Sequence, residues 1–353
     1  MGPARGAWSM RARVHGVRVL LLPDKFRGTL ASREFISAAR SALTAVAEVD
    51  GRVVSDGGEG LIEALDGRLV EVETVDALMR PITASFSVLP GGDAVVEMSR
   101  ASGLALLGGP AENDPVAAST YGTGVLIRAA FERGAQHVVV GCGGSATTDG
   151  GMGALEALGP RGIPAGSSVS AAVDVRTSYL DAAEEFAPQK GATAVQVAFL
   201  KRRLAGSAEL LFRRFGRDPR GVTGSGAAGG LSGMLWAAGA EIVEGFSVVS
   251  EYLGLDDLVE AADLVITGEG LLDDESFNGK VVGSVVTLAA RHGRRCLVVA
   301  GTATEEGRRR LSAEGAELLE LAAEFGAERS LTQAGECVSQ ALSVFSRSWG
   351  RPS

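Results

Sequence analysis

Four stretches of the chain repeat one design. A short, nearly unbroken apolar run stops at a loop carrying Gly or Asp, and a helical pattern follows. The stretches are Val17-Arg-Val-Leu-Leu-Leu-Pro-Asp-Lys-Phe, His137-Val-Val-Val-Gly-Cys-Gly-Gly, Asp263-Leu-Val-Ile-Thr-Gly-Glu-Gly and Arg295-Cys-Leu-Val-Val-Ala-Gly-Thr. A strand apolar at successive positions has no face to give to water, so it is buried on both sides, as in a parallel sheet covered by helices. Helical patterns occupy 32–46, with Ser32 as the expected N-cap, 123–133 before Gly134, and 280–292 before Gly293. Such sheets take ligands at the carboxyl ends of their strands, where these four loops fall.

Two regions differ. Residues 68–99 alternate apolar and polar, and Pro90-Gly-Gly-Asp93 is a hairpin turn signal. Residues 161–220 are polar and loop-rich, with a helical stretch near 194–215. The expected fold class is α/β with two domains. A Rossmann-like parallel-sheet domain is built from 17–60, 115–160 and 255–345. A second, discontinuous α/β domain is built from 61–114 and 161–254, with an active-site cleft between the two. Residues 1–16 read as a disordered leader.

Composition removes several classes of function. With 46% hydrophobic residues the chain buries enough apolar surface to fold, and its 49 glycines show no collagen period. The net charge is −9 with no basic stripe, which argues against nucleic acid as a partner. Three scattered cysteines and three histidines suit neither a disulfide frame nor a zinc site. Residues 221–240 carry no charge and match a membrane span in length, but seven of them are Gly, so they read as a buried loop and helix. With no export signal, the expected location is cytoplasmic, away from membranes. The oligomeric state is left open.

Two glycine-rich loops have the chemistry to hold phosphate. Gly141-Cys-Gly-Gly-Ser-Ala-Thr-Thr-Asp-Gly-Gly follows a strand and precedes a helix. Its backbone N–H groups, with Ser145 and Thr147, can converge on an anion that a Cβ at Gly143 or Gly144 would block. Thr223-Gly-Ser-Gly-Ala-Ala-Gly-Gly, with Gly224 and Gly226, is the second loop; close helix packing through small residues explains it equally well. Gly141-x-Gly143-x-x-Ala146 also fits a dinucleotide fingerprint by spacing, but no acid stands about 20 residues on. Asp56-Gly-Gly-Glu59 and Gly268-Glu269-Gly-Leu-Leu-Asp273-Asp274 set acids among glycines, where they can face a ligand or a phosphate-bound Mg²⁺. Lys25, Arg27, Lys190 and Lys280 are the cations available to phosphate. There is no Walker A motif, because Asp274 stands where its first glycine belongs.

Eight blocks in one order carry a resemblance. They are Pro23-Asp-Lys-Phe-Arg-Gly-Thr-Leu, Ser55-Asp-Gly-Gly-Glu-Gly, Glu97-Met-Ser-Arg-Ala-Ser-Gly-Leu, Thr120-Tyr-Gly-Thr-Gly, Gly143-Gly-Ser-Ala-Thr-Thr-Asp-Gly-Gly, Pro188-Gln-Lys-Gly-Ala-Thr, Gly224-Ser-Gly-Ala-Ala-Gly-Gly, and Thr267-Gly-Glu-Gly with Gly279-Lys280. Together, over about 17–345, they resemble the bacterial glycerate kinase family. The resemblance implies a two-domain kinase using ATP and Mg²⁺ on a small hydroxy acid, giving 2-phosphoglycerate. The residues expected to line the nucleotide phosphates are Gly143, Gly144, Ser145, Thr147, Gly224 and Gly226. The expected catalytic acids are Asp24, Asp56, Glu59 and Asp149, with Arg27 and Lys190 stabilising charge and Glu269 and Asp273 as Mg²⁺ ligands.

The chain also departs from the family pattern. Arg27 stands for Lys, Thr148 for Asn, Ala187 for Gly and Leu271 for Arg, and a glycine-rich stretch before Ala172 is shortened. These changes lead to the expectation of poor turnover of glycerate, with a different polyol or cyclitol as the alternative acceptor. An NAD-dependent dehydrogenase and a non-catalytic ligand sensor are the readings from other classes.

Overall fold

The structure is a computed structural model that describes residues 16–26, 28–160 and 162–347. The leader expected at 1–16 lies almost wholly outside them. The strands, in chain order, are β1 (Val17–Leu21), β2 (Ala47–Gly51), β3 (Arg68–Val75), β4 (Pro81–Val88), β5 (Ala94–Glu97), β6 (His137–Gly141), β7 (Ser168–Val173), β8 (Glu241–Glu244), β9 (Leu264–Leu272), β10 (Arg295–Ala303) and β11 (Glu317–Glu320). The helices that matter below are α1 (Ser32–Leu43), α2 (Tyr121–Glu132), α3 (Met152–Leu158), α4 (Ala194–Phe215), α5 (Ala227–Ala237), α6 (Val281–Arg291) and α7 (Ala334–Ser346).

The described residues form two compact units, one drawn from within 1–55 and 249–353 and one from within 56–248. The first holds a parallel sheet in the order β11-β10-β9-β1-β2. Its strands are apolar on both faces for the expected reason: Val19, Leu20, Leu21 and Leu22 are fully buried. Residues Val19, Phe35, Leu264, Val299 and Val338 share one cluster, which joins the sheet to α1 and α7. Ser32 is the first residue of α1 and not its cap. The cap position is Ala31, whose N–H is satisfied by the Glu34 carboxylate at 2.9 Å. From β1 the chain moves outward to β2, and on its return β9, β10 and β11 step the other way. The order therefore reverses between β1 and β9, and the crevice beyond their carboxyl ends is the ligand position of a doubly wound sheet.

The second unit holds a mixed sheet in the order β3-β4-β5-β6-β7-β8. The alternating region forms antiparallel β3, β4 and β5, and the turn closes where expected, with Leu89 N–H donating to the Asp93 carbonyl at 2.8 Å. From β5 to β8 the pairing is parallel. The uncharged 221–240 stretch becomes a loop and the buried α5, and among the described residues no helix is long and apolar enough to cross a membrane. The long helix α4 starts from a capping box, Thr193 with Gln196.

The expected division of the chain is corrected over 115–160, and its boundaries shift at 56–60 and 249–254. The sequence pattern places residues 115–160 with the sheet of β1, but β6 lies between β5 and β7 in the mixed sheet. The interrupted unit is the parallel one, and 56–248 is continuous. The physical reason is that an all-apolar strand such as Val138-Val139-Val140 declares burial on both faces and nothing about its neighbours. Those are chosen by distant pairing, here Ala94 with Val138 and Val138 with Val169.

Candidate active site

In the second unit two motifs far apart in sequence become one surface. A Cβ on Gly141 would lie 2.8 Å from the Gly57 carbonyl oxygen, and one on Gly143 would lie 2.6 Å from Gly58 Cα. The loops 56–60 and 141–145 therefore run back to back, and only glycine permits the approach. Across this seam Glu59 Oε1 lies beside Gly144, 2.2 Å from where a Cβ would stand, and Gly144 has φ +69°. Gly144 is exposed, Gly143 and Ser145 are half-buried, and everything from Ala146 to Gly151 is buried. The face open to a ligand is thus Gly143-Gly144-Ser145 with Glu59 and Asp56 beside it. The loop carrying these acids is pinned by Glu97, whose Oε1 accepts from Gly60 N–H at 3.0 Å and Ile62 N–H at 2.8 Å while Arg100 holds Oε2.

Lys190 backs this face. It is 3% exposed, and its Nζ donates to Ser145 Oγ at 2.8 Å and to the Thr147 carbonyl at 2.7 Å. Burial pulls its pKa down to about 7, opposed by the Asp149 carboxylate. Asn113 holds the corner together, with Nδ2 donating to the carbonyls of Lys190 at 2.9 Å and Ala146 at 3.1 Å. The sequence contains no signal for Asn113, since a lone Asn in a loop resembles any turn residue.

Several expected roles change. Asp149 is 1% exposed, and its carboxylate accepts from Thr120 N–H and Oγ1 and from the N–H groups of Gly151 and Gly153, all within 2.8–3.1 Å. Its lone pairs are spent on tying the starts of α2 and α3 to the loop, so it is a positioning residue and not an acid facing the phosphoryl group. Thr147 is fully buried, and its carbonyl accepts from buried Lys190 and does not face the open surface. Gly224 and Gly226 are buried as well. A Cβ on Gly226 would lie 2.3 Å from the Ser178 carbonyl, and one on Gly229 would lie 2.1 Å from the Thr147 carbonyl. The second glycine-rich loop therefore packs beneath the first and offers nothing to phosphate.

The first unit has its own acidic cluster, at the β1/β9 reversal. Asp24 N–H donates to the Gly268 carbonyl at 2.9 Å, which sets it next to Glu269. Glu269 is 8% exposed, and its buried Oε1 has no hydrogen-bond partner. Burial pushes its pKa up to about 7; Asp24 and Asp273 add to the shift, while a Ser276 hydrogen bond and Lys280 oppose it. Asp273 Oδ1 accepts from Ser276 N–H and Oγ at 3.1 and 3.2 Å, which closes the turn from 273 to 276. Among the described residues no group of three or more His, Cys, Asp or Glu could hold a metal. The expected Mg²⁺ pair, Glu269 and Asp273, lies in one cluster with Asp24, with Glu269 buried and Asp273 bonded to Ser276. Arg27 lies outside the described residues.

The profile of one family, described as the glycerate kinase family, matches residues 19–165 and 164–349. The chain belongs to the glycerate kinase family. It is a kinase acting on an alcohol acceptor, which sets aside the dehydrogenase and ligand-sensor readings. The chain is 32% identical over 330 residues to a glycerate kinase of Bacillus subtilis, covering 82% of this chain and 86% of the relative. It is 32% identical over 331 residues to a glycerate 2-kinase of Escherichia coli, again covering 82% and 86%. The fold is similar to the crystal structure of a putative glycerate kinase 2 from Salmonella typhimurium LT2, with TM-score 0.77 at 29% identity, covering 95% of this chain and 98% of that one. Leu271, where the resemblance leads one to expect an Arg, has its side chain 47% exposed on β9.

Proposed function

We propose that the chain is an ATP-dependent glycerate kinase, transferring the terminal phosphoryl group to a glycerate hydroxyl to give 2-phosphoglycerate. The observation that carries this reading is the open Gly143-Gly144-Ser145 turn, backed by buried Lys190 and flanked by Glu59. Backbone N–H groups and a lysine favour phosphate oxygens, and phosphoryl transfer depends chiefly on positioning and charge stabilisation. Mg²⁺ fits this face. Glu59 stands in the space a Cβ would fill at Gly144, and with Asp56 it supplies the one or two carboxylates that a phosphate-bound Mg²⁺ needs. When bound, the ion neutralises phosphate charge. Asp24, at the strand end where doubly wound sheets take ligands, stays a proposed catalytic acid. An ATP-using metabolic kinase of this kind works in the cytoplasm.

ADP release from ATP and Mg²⁺ with D-glycerate tests the reading. Gly144→Val is expected to raise KM for ATP by at least tenfold in a folded protein, because its bulk meets the phosphate and displaces Glu59. Normal ATP kinetics in that variant would remove Gly144 from the phosphate site. Leu271 supports a second reading, a different polyol or cyclitol as acceptor, since this chain presents an exposed apolar side chain where the family presents a guanidinium. Leu271→Arg is expected to leave stability within about 0.5 kcal/mol, as for exposed positions generally, and to raise kcat/KM for glycerate. Unchanged glycerate kinetics would show that position 271 plays no part in acceptor choice.

A further inference from the structure

We propose that Ser145 is itself a phosphoryl acceptor: a nucleophile activated by Lys190, which takes the terminal phosphoryl group of ATP when no hydroxylated acceptor is bound. The proposal rests on the phosphate-loop reading above and adds a second activity to the same face.

The geometry is that of an activated serine. Lys190 Nζ lies 2.8 Å from Ser145 Oγ, and a third group, the Thr147 carbonyl at 2.7 Å, fixes its direction. A nucleophile and base within hydrogen-bond reach, with the base oriented by a third partner, is the arrangement that activates serines, lysine serving as base in one variant. The lysine is held from behind as well. Asn113 binds its backbone carbonyl, and the chain turns away through Gly191 at φ +94°, where a Cβ would lie 2.5 Å from the Pro110 carbonyl. Ser145 is half-buried and adjoins the exposed Gly144, whereas its partner Lys190 is buried.

The protonation state agrees. At 3% exposure the ammonium has lost its water, and Asp149 is the charged group acting on it; burial outweighs that carboxylate and brings the pKa to about 7. At neutral pH much of Lys190 is therefore the amine. In the resting arrangement Nζ donates to both Ser145 Oγ and the Thr147 carbonyl; as the amine it keeps the Thr147 bond and turns its lone pair to the Ser145 O–H across the same 2.8 Å. As Oγ attacks the γ-phosphorus, Nζ takes the hydroxyl proton. The Oγ–P bond forms, the bond from γ-phosphorus to the bridging oxygen breaks, and ADP leaves with that electron pair. The proton remains on Lys190 as ammonium.

The experiment incubates the full chain with ATP and Mg²⁺ without acceptor and reads intact mass and the modified peptide. One phosphoryl group on Ser145 is expected, at a rate that rises with pH through about 7 to a plateau. Ser145→Ala should abolish it, and Lys190→Met should slow it by about 10²-fold or more, the usual size of a general-base contribution. A fluorophosphonate probe, which needs no nucleotide, should label Ser145 of the wild-type protein with the same pH profile, whether or not Lys190→Met folds. Turnover of glycerate with neither phosphoryl gain nor probe adduct at Ser145 overturns the proposal and leaves the kinase reading standing. Probe labelling of Ser145 in a protein that turns over no acceptor and gains no phosphoryl group overturns the kinase reading and, with it, ATP as the donor. A mass gain at another residue also overturns the assignment.

Discussion

Asp149→Ala is expected to lower the melting temperature of the second unit by about 10 °C. The carboxylate is buried and receives four hydrogen bonds, three of them from backbone N–H groups that have no other acceptor once it is gone. Breaking a buried, charge-assisted network costs about 3–5 kcal/mol. For a unit of this size that corresponds to about 2–4 °C per kcal/mol. Catalysis falls as well, through the loop, because the start of α3 loses the Gly151 and Gly153 N–H bonds that tie it to the loop. Asp149→Asn recovers only part of the stability, since its amide can accept at one atom and presents N–H groups to donors at the other. A wild-type melting curve for Asp149→Ala would show that the loop does not depend on this residue and would return Asp149 to the catalytic acids.

The second large effect is a pH-dependent change in stability at Glu269. Its folded pKa is about 7 against an ordinary 4.5, because burial disfavours the carboxylate. The folded state therefore holds a proton that the unfolded chain has released between those values. Stability contributed by the neutral acid is complete below pH 4.5 and is lost as pH rises through 7. At about 1.4 kcal/mol per pK unit, that loss is about 3 kcal/mol. Glu269→Gln stays neutral at every pH and keeps the shape. It should match wild type in chemical denaturation near pH 4 and exceed it by about 2–3 kcal/mol at pH 8. Parallel stability curves for the two proteins across this range would mean that Glu269 ionises freely and that Asp24 and burial do not act on it.

What the sequence by itself determined was everything carried by local periodicity and backbone chemistry. Unbroken apolar runs marked β1, β6, β9 and β10 as buried strands, alternation marked β3 and β4, and Pro90-Gly-Gly-Asp93 marked the hairpin turn. The ordered glycine, acid and lysine blocks marked the family, because chemistry at a phosphate tolerates few residue types. Only the tertiary structure decided what depends on distant partners. Val138-Val139-Val140 reads the same in either sheet, and pairing with β5 and β7 chose one. Gly143-Gly144-Ser145 and Gly224-Ser225-Gly226 have the same composition, yet one loop is open and the other is closed over by the carbonyls of 177 and 178, since glycine serves a ligand and a neighbouring backbone equally well. Asp149, Asp273 and Glu59 are all acids among glycines. Whether such a carboxylate caps a helix, closes a turn or faces an open loop depends on which donors come within 3 Å of it, and those donors arrive from segments tens of residues away or from a turn that only the folded chain forms. The same holds for Lys190, whose low pKa is a property of its burial beneath Ser145 and Thr147 and not of lysine.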